Sequence, residues 1–277
     1  MNIFETMPAA TSLLFRRIFK LSGKDAIPFI NSLATNTLKS PVTYMLFLTP
    51  QSRVIADGFY YKGTKNDYLE VCDTLADKLL LHIQKYKLRS DVQLLPIHGQ
   101  VQWHLNKVEM DDAIVVKDPR PYMGYRSLHI AKDAPVITSD AHDYTVFRYK
   151  YGIPEVSDKP GSIPFELNLD LLNSIDYSKG CYTGQELIIR TKHTGVVRRR
   201  AIPFKIKDVN NFKISDLKNE DIHIEQENIK IGNVICYVRS GHTVYGLAKV
   251  KIDHFNNDAF IKDIPITLSK PAYLHIG

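Results

Sequence analysis

Between Asp176 and Glu186 the chain reads Asp-Tyr-Ser-Lys-Gly-Cys-Tyr-Thr-Gly-Gln-Glu, and no other stretch constrains the fold as much. A lone cysteine, Cys181, stands between Gly180 and Gly184, with Lys179 two residues upstream and Gln185-Glu186 after it. Neither an amphipathic helix nor a half-buried strand has this pattern, so a tight loop is predicted here. The apolar run Leu187-Ile188-Ile189 follows, and Thr183 and Glu186 have capping-box spacing. That spacing predicts a helix with Thr183 as N-cap and Gly195 just past its end, with Lys192 and His193 in the last turn. Cys181 would then lie ahead of a helix N-terminus, where the macrodipole favours a thiolate. Lys179 and Arg190 would push the same way if they fold inward. A buried structural cysteine in a turn is the other reading, and spacing alone leaves both open.

Around this loop the patterns are those of an α+β protein with antiparallel sheets. Thr11 to Leu21 alternates as a strand, and Ser22 or Asp25 can cap a helix over Ala26 to Leu33 with Ile27, Ile30 and Leu33 on one face. Tyr44 to Thr49 and Val54 to Lys62 form a hairpin across Pro50 to Arg53. Tyr68 to Cys72 is a short strand. Thr74 to Lys87 is an amphipathic helix with Leu75, Leu79, Ile83 and Tyr86 on one stripe. Val92 to Leu95, Val101 to Leu105, Ala113 to Val116 and Ser127 to Ala131 read as further strands. Tyr144 to Lys150 fits either strand or helix. After Arg200, short strands between Asn-, Asp- and Gly-rich turns (Ala201 to Ile206, Ile222 to Ile224, Lys230 to Arg239, Tyr245 to Lys251 and Ala259 to Ile261) suggest a small C-terminal β-barrel. The expected parts are an α+β subdomain over 1–95, a second carrying the cysteine loop over 96–197, and the barrel over 198–277.

The 277 residues carry 36 Lys and Arg against 30 Asp and Glu, a net charge of +6 that favours anionic partners without choosing among them. Cys72, Cys181 and Cys236 lie far apart with no C-x-x-C, which points to a reducing compartment and away from a protein-only zinc or Fe–S site. His98 and His104 sit in separate pieces with no third ligand in spacing, so structural roles are expected and no metal site. No apolar run reaches membrane-spanning length, and Met1 to Ala10 has no secretion-signal pattern. Arg198-Arg199-Arg200, beside a strand start, is read as a solvated edge or a brace between subdomains.

Lys-Gly-Cys-Tyr-Thr-Gly-Gln-Glu resembles the signature of the YgfZ family, folate-binding proteins of iron–sulfur cluster assembly and repair, within the glycine-cleavage T-protein (aminomethyltransferase) superfamily. The continuation Arg190 to Arg200 is similar to the mitochondrial branch of that family. Phe29 to Asn36, Leu48 to Asp57, Arg148 to Pro154 and Pro164 to Asn173 resemble its other motifs. The resemblance implies a T-protein-like fold around a central cavity that takes tetrahydrofolate or a related folate. It also implies partners among Fe–S client proteins or assembly factors, a monomer, and a cytoplasmic location in bacteria or the mitochondrial matrix in eukaryotes. Its site residues fall on Cys181 and Lys179 for the chemistry. Asn36, Asp57, Tyr144, Arg148, Asn168, Gln185 and Arg190 fall on the folate, and Gly180 and Gly184 form the loop. Two departures count against aminomethyl transfer: Ala56 precedes Asp57 where the transferases have an Asp pair, and Lys150 stands where they carry an acid for the pterin. A third reading, an RNA-binding protein linked to tRNA modification, rests on charge and the arginine triplet alone, and nucleic acid is not the expected partner.

Overall fold

Arg-Arg-Ile-Phe-Lys-Leu-Ser buries Ile18 on one face and Phe19 and Leu21 on the other, and makes the first long strand of a computed structural model that describes residues 10–130, 141–207, 209, 216–224, 229–255 and 258–275. Most of the expected signal-free segment Met1 to Ala10, and Ala131 at the end of an expected strand, lie outside the described residues. The chain divides into two compact units, Met1–Asp143 with Leu172–Arg190, and Tyr144–Leu171 with Thr191–Gly277.

The first unit contains β1 (Thr11–Ser12), β2 (Arg16–Ser22), α1 (Ala26–Leu33), β3 (Val42–Leu48), β4 (Val54–Lys62) and β5 (Asp67–Cys72). It continues with α2 (Asp73–Lys87), β6 (Gln93–Ile97), β7 (Gln100–His104), β8 (Ala113–Lys117) and β9 (Tyr125–His129). One antiparallel sheet has the order β3-β4-β5-β2-β6 and the other β1-β7-β9-β8. β4 is buried from Val54 to Tyr61, so both of its faces are covered, and α2 lays Leu75, Ala76, Leu79 and Ile83 on the sheet. The buried face of α1 is Ala26, Phe29, Ile30 and Leu33, not the expected Ile27-Ile30-Leu33 stripe, because an i, i+3, i+4, i+7 set follows the 3.6-residue turn more closely. Asp25 precedes α1 without capping it by side chain. Its carboxylate instead accepts the Asp91 amide at 2.8 Å.

Between the two sheets lies an ionic hub. Glu70 accepts Arg16 Nε at 2.5 Å and the Tyr61 hydroxyl at 2.5 Å, and it pairs with Arg126. Arg126 reaches on to Asp118 at 3.3 Å, and Asp118 holds Arg120 at 2.8 Å. All five charged side chains are sealed from solvent. The Phe59 ring meets the guanidinium groups of Arg126, Arg120 and Arg16 at 4.1, 5.0 and 5.5 Å, a cation–π arrangement that a planar, weakly hydrated cation suits.

Two helices cross the boundaries between the units along the chain, α3 (His142–Tyr151) and α4 (Gln185–Thr194). The second unit then forms β10 (Arg199–Ile206), β11 (Asp221–Ile224), β12 (Ile229–Ser240), β13 (Thr243–Lys251), β14 (Ala259–Ile261) and β15 (Ile264–Leu268). These close as a barrel in the order β10-β13-β12-β11-β14-β15. The expected barrel strands are all present, and closure comes from β15, which sequence patterning did not identify. Its Thr267 and Leu268 pair with Lys205 and Phe204 of β10. Arg200 is turned to internal work, donating to Asp170 at 2.6 Å and to the Phe165 carbonyl at 3.1 Å, while Arg198 and Arg199 stay exposed.

Candidate functional site

The cysteine loop is held in the first unit from both ends. At its start, Asp176 Oδ1 accepts the Ser178 amide at 3.0 Å and the Ser178 hydroxyl at 2.6 Å, and Oδ2 accepts the Thr37 hydroxyl at 2.8 Å. Hydrogen bonding from Ser178 above all lowers the Asp176 carboxyl to a pKa of about 2. Lys179 comes next. Its ammonium donates to the carbonyls of Asn31, Ala34 and Asn36 at 2.5, 2.6 and 3.0 Å. α1 has no basic residue in its last turn, so Lys179 supplies from the far side of the sequence the cation that a helix C-terminus favours. Burial lowers its pKa to about 8, with Asp176 opposing that shift. Three acceptors within hydrogen-bond reach match the three protons of the charged form. The ammonium is thereby committed to the loop's foundation.

The loop's far end is fixed through Gly184. Its φ is +80°, and an added Cβ would lie 2.4 Å from the Thr49 carbonyl, so this position requires glycine. Its own carbonyl accepts the Ser52 hydroxyl at 2.6 Å. At Gly180 a Cβ would meet nothing within 4 Å. α4 begins at Gln185, one residue later than a Thr183 cap would place it. The physical reason is local: Gln185 turns its side chain back to accept the Tyr182 amide, and its own amide donates to the Tyr182 carbonyl, both at 3.3 Å. That closes a turn ahead of the helix and consumes Thr183 in it. The end of α4 is as expected, with the Gly195 amide donating to Thr191 at 3.1 Å.

The result is an exposed Cys181 on a pinned loop, whereas Cys72 is buried and Cys236 half-buried. The thiol of Cys236 is pushed far up by burial. Cys181 lies four positions before α4, beyond the single turn over which a helix dipole acts strongly. Beside it, Tyr182 is buried, its ring faces the Lys179 ammonium at 5.5 Å, and its hydroxyl has no hydrogen-bond partner among the described residues. Sequence reasoning assigned Tyr182 no role. The only available signal was an aromatic between two glycines, which does not say where its hydroxyl ends. Arg190 projects from α4 into an open recess of about 470 Å³ that it lines with Pro50, Gln51, Ser52, Glu186 and Leu187.

The other expected folate residues fall into two groups, by unit. In the first, Asn36 donates to the carbonyls of Tyr44 and Asn173 at 3.0 and 2.9 Å and accepts the Thr37 amide at 2.9 Å. This amide braces backbone. The Tyr44 hydroxyl donates to the buried Asp57 carboxylate at 3.0 Å, so Asn36 and Asp57 hold Tyr44 at its carbonyl and at its hydroxyl. In the second unit, α3 brings Tyr144 and Arg148 together: the Tyr144 hydroxyl donates to Glu155, and Arg148 pairs with Asp158 at 2.8 Å. Asn168, in a left-handed conformation, donates to the Ala201 carbonyl at 2.6 Å and the Tyr273 hydroxyl at 3.0 Å, again as a brace. His104 bonds Ser127 at 2.8 Å inside the β7–β9 pair and His98 is exposed.

Over 223 residues the chain is 35% identical to the iron-sulfur cluster assembly factor IBA57 homolog, mitochondrial, of Pyricularia oryzae, covering 72% of this chain and 57% of that protein. It is 33% identical over 233 residues to the mitochondrial iron-sulfur cluster assembly factor IBA57 of Mus musculus, covering 69% and 64%. The chain thus spans between half and two thirds of the length of these relatives. No family model matches it. Among solved structures it superposes on the glycine cleavage system aminomethyltransferase T of Bartonella henselae with a TM-score of 0.68 at 10% identity, over 96% of this chain and 86% of that one. The fold is that of the glycine-cleavage aminomethyltransferases. The named relatives are mitochondrial. Among the described residues no helix is long and apolar enough to cross a membrane.

Proposed function

We propose that this chain is a folate-binding accessory factor in the assembly or repair of iron–sulfur proteins, working through Cys181. The observation that carries this reading is an exposed thiol on a loop that Lys179, Asp176 and Ser52 hold rigid. Preorganisation of that kind suits a group that meets a partner or ligand rather than one that fills a core. The relatives described as Fe–S assembly factors support the process, and their mitochondrial location supports the matrix over the cytoplasm. Partners are therefore expected among Fe–S client proteins or assembly factors.

For the folate, the donor set fits. The buried Tyr182 hydroxyl lacks a partner among the described residues, and Arg190 lines an open recess. Tyr182 and Arg190 would hold polar edges of the ligand, with Gln185 ordering the turn between them, while Asn36 and Asn168 act as braces. Bound folate would supply one-carbon carrying capacity. Ala56 and Lys150, where the resemblance implies acids, argue against aminomethyl transfer.

The test is rescue of Fe–S enzyme activities in cells deleted for the gene, combined with a tetrahydrofolate titration of the purified protein followed by intrinsic fluorescence. Cys181→Ala is expected to fold as the parent does and to abolish rescue. Full rescue would reduce Cys181 to a surface residue, and a titration without saturation would remove the folate.

A further inference from the structure

On the barrel wall a recess of about 300 Å³ opens where β10, β12 and β13 run side by side. Arg199, Lys230, Lys249 and Lys251 line it, with Ile231, Gly232 and Asn233, and among the described residues no carboxylate does. Arg199 and Lys251 are directly opposed across the β10–β13 pair, an arrangement of like charges that destabilises a sheet unless something offsets it. Lys230 pairs with Asp221 at 2.7 Å and Lys249 with Glu166 at 3.2 Å. Arg199 and Lys251 have no ion pair among the described residues, which leaves two adjacent positive charges. Gly232 lets β12 approach β13 closely beside the recess: an added Cβ would stand 2.2 Å from the Lys249 carbonyl.

We propose that this recess binds a phosphate monoester or free phosphate between Arg199 and Lys251. A phosphate carries roughly −1.5 to −2 charge at pH 7 with three acceptor oxygens on one atom. A single group therefore offsets both cations, and the Arg199 guanidinium can meet two of its oxygens at once. A carboxylate brings half that charge, so two would have to enter at matched spacing. An acidic peptide could not add as a strand either, because a closed barrel presents no edge.

The experiment is calorimetric titration of the whole protein with inorganic phosphate at fixed ionic strength, with succinate as the dicarboxylate control. Saturable phosphate binding is expected, at least ten-fold tighter than succinate, and at least ten-fold weaker in the Arg199→Ala/Lys251→Ala variant. Lys251→Gln alone is expected to raise the melting temperature without phosphate and to shrink the increase that phosphate gives. Arms with adenosine monophosphate and a phosphoserine peptide set two phosphate monoesters against free phosphate, and the tightest of the three names the natural form. Absent saturation, succinate equal to phosphate, or undiminished binding in the double variant overturns the site. Cys181→Ala is expected to bind phosphate as the parent does, so the outcome stands apart from that of the folate reading.

Discussion

Tyr182 and Lys179 sit side by side in the cysteine loop and represent opposite uses of a buried polar atom. The Lys179 ammonium has three carbonyl acceptors, which offsets the cost of taking its charge out of water. The Tyr182 hydroxyl has none among the described residues, and leaving such a donor unmet costs about 1–3 kcal/mol. A protein that retains that cost in its ligand-free state gains when a ligand supplies the missing acceptor. Removing the hydroxyl should therefore help the empty protein and harm the loaded one. Tyr182→Phe is expected to match or exceed the parent in urea unfolding, by about 1 kcal/mol, and to weaken tetrahydrofolate about ten-fold, the worth of one hydrogen bond. Loss of stability in the empty variant would show that the hydroxyl already has work in the folded chain.

At the scale of elements, the loop depends on Asp176 to start it and Gly184 to end it. The Asp176 carboxyl titrates near 2 in the folded chain against roughly 3.9 when unfolded. Between those values the unfolded chain holds the extra proton. The contribution of Asp176 is thus fully present above pH 4 and lost as the pH falls towards 2. Partial exposure and salt hold it to the order of 1 kcal/mol. Asp176→Asn is expected to be less stable than the parent at pH 5, with the gap closing by pH 2. A gap that stays constant in urea titrations across that range would sink the assignment. Sequence reasoning reached some of these elements and missed others for identifiable reasons. The bounds of α1 and β4 were legible because apolar periodicity and turn residues agree there. The start of α4 was not, since Thr183 and Glu186 have cap spacing but the Gln185 side chain closes the turn first. β15 escaped notice because it is only five residues long and carries Pro265, and its place is set by pairing with the distant β10. Lys179 as the missing cation of α1 was beyond reach for the same cause: 148 positions separate it from Asn31.

Across the whole molecule, the same separation hides the ionic hub, whose members lie on β2, β5, β9 and the segment before Tyr125. Arg16 and Glu70 read in sequence as polar positions of alternating strands, yet both are sealed between the sheets. A buried ionic group is costly when it loses a partner, because the remaining charge stays in a low-dielectric interior. Glu70 serves Arg16, Arg126 and the Tyr61 hydroxyl at once, so its charge is the hub's most shared resource. The chain's single tryptophan, Trp103, pairs directly with Arg126 across β7 and β9 and donates its ring N–H to the Met123 carbonyl at 2.7 Å. Its fluorescence therefore reports on the hub and on the first unit, while tyrosine signals and circular dichroism report on both units. Glu70→Gln keeps the shape and removes the charge. It is expected to cost about 3–5 kcal/mol, seen as a lower urea midpoint in the Trp103 signal. A shift below about 1 kcal/mol would mean that Asp118 alone balances the guanidinium groups, and that the two sheets are held by apolar packing without need of the hub.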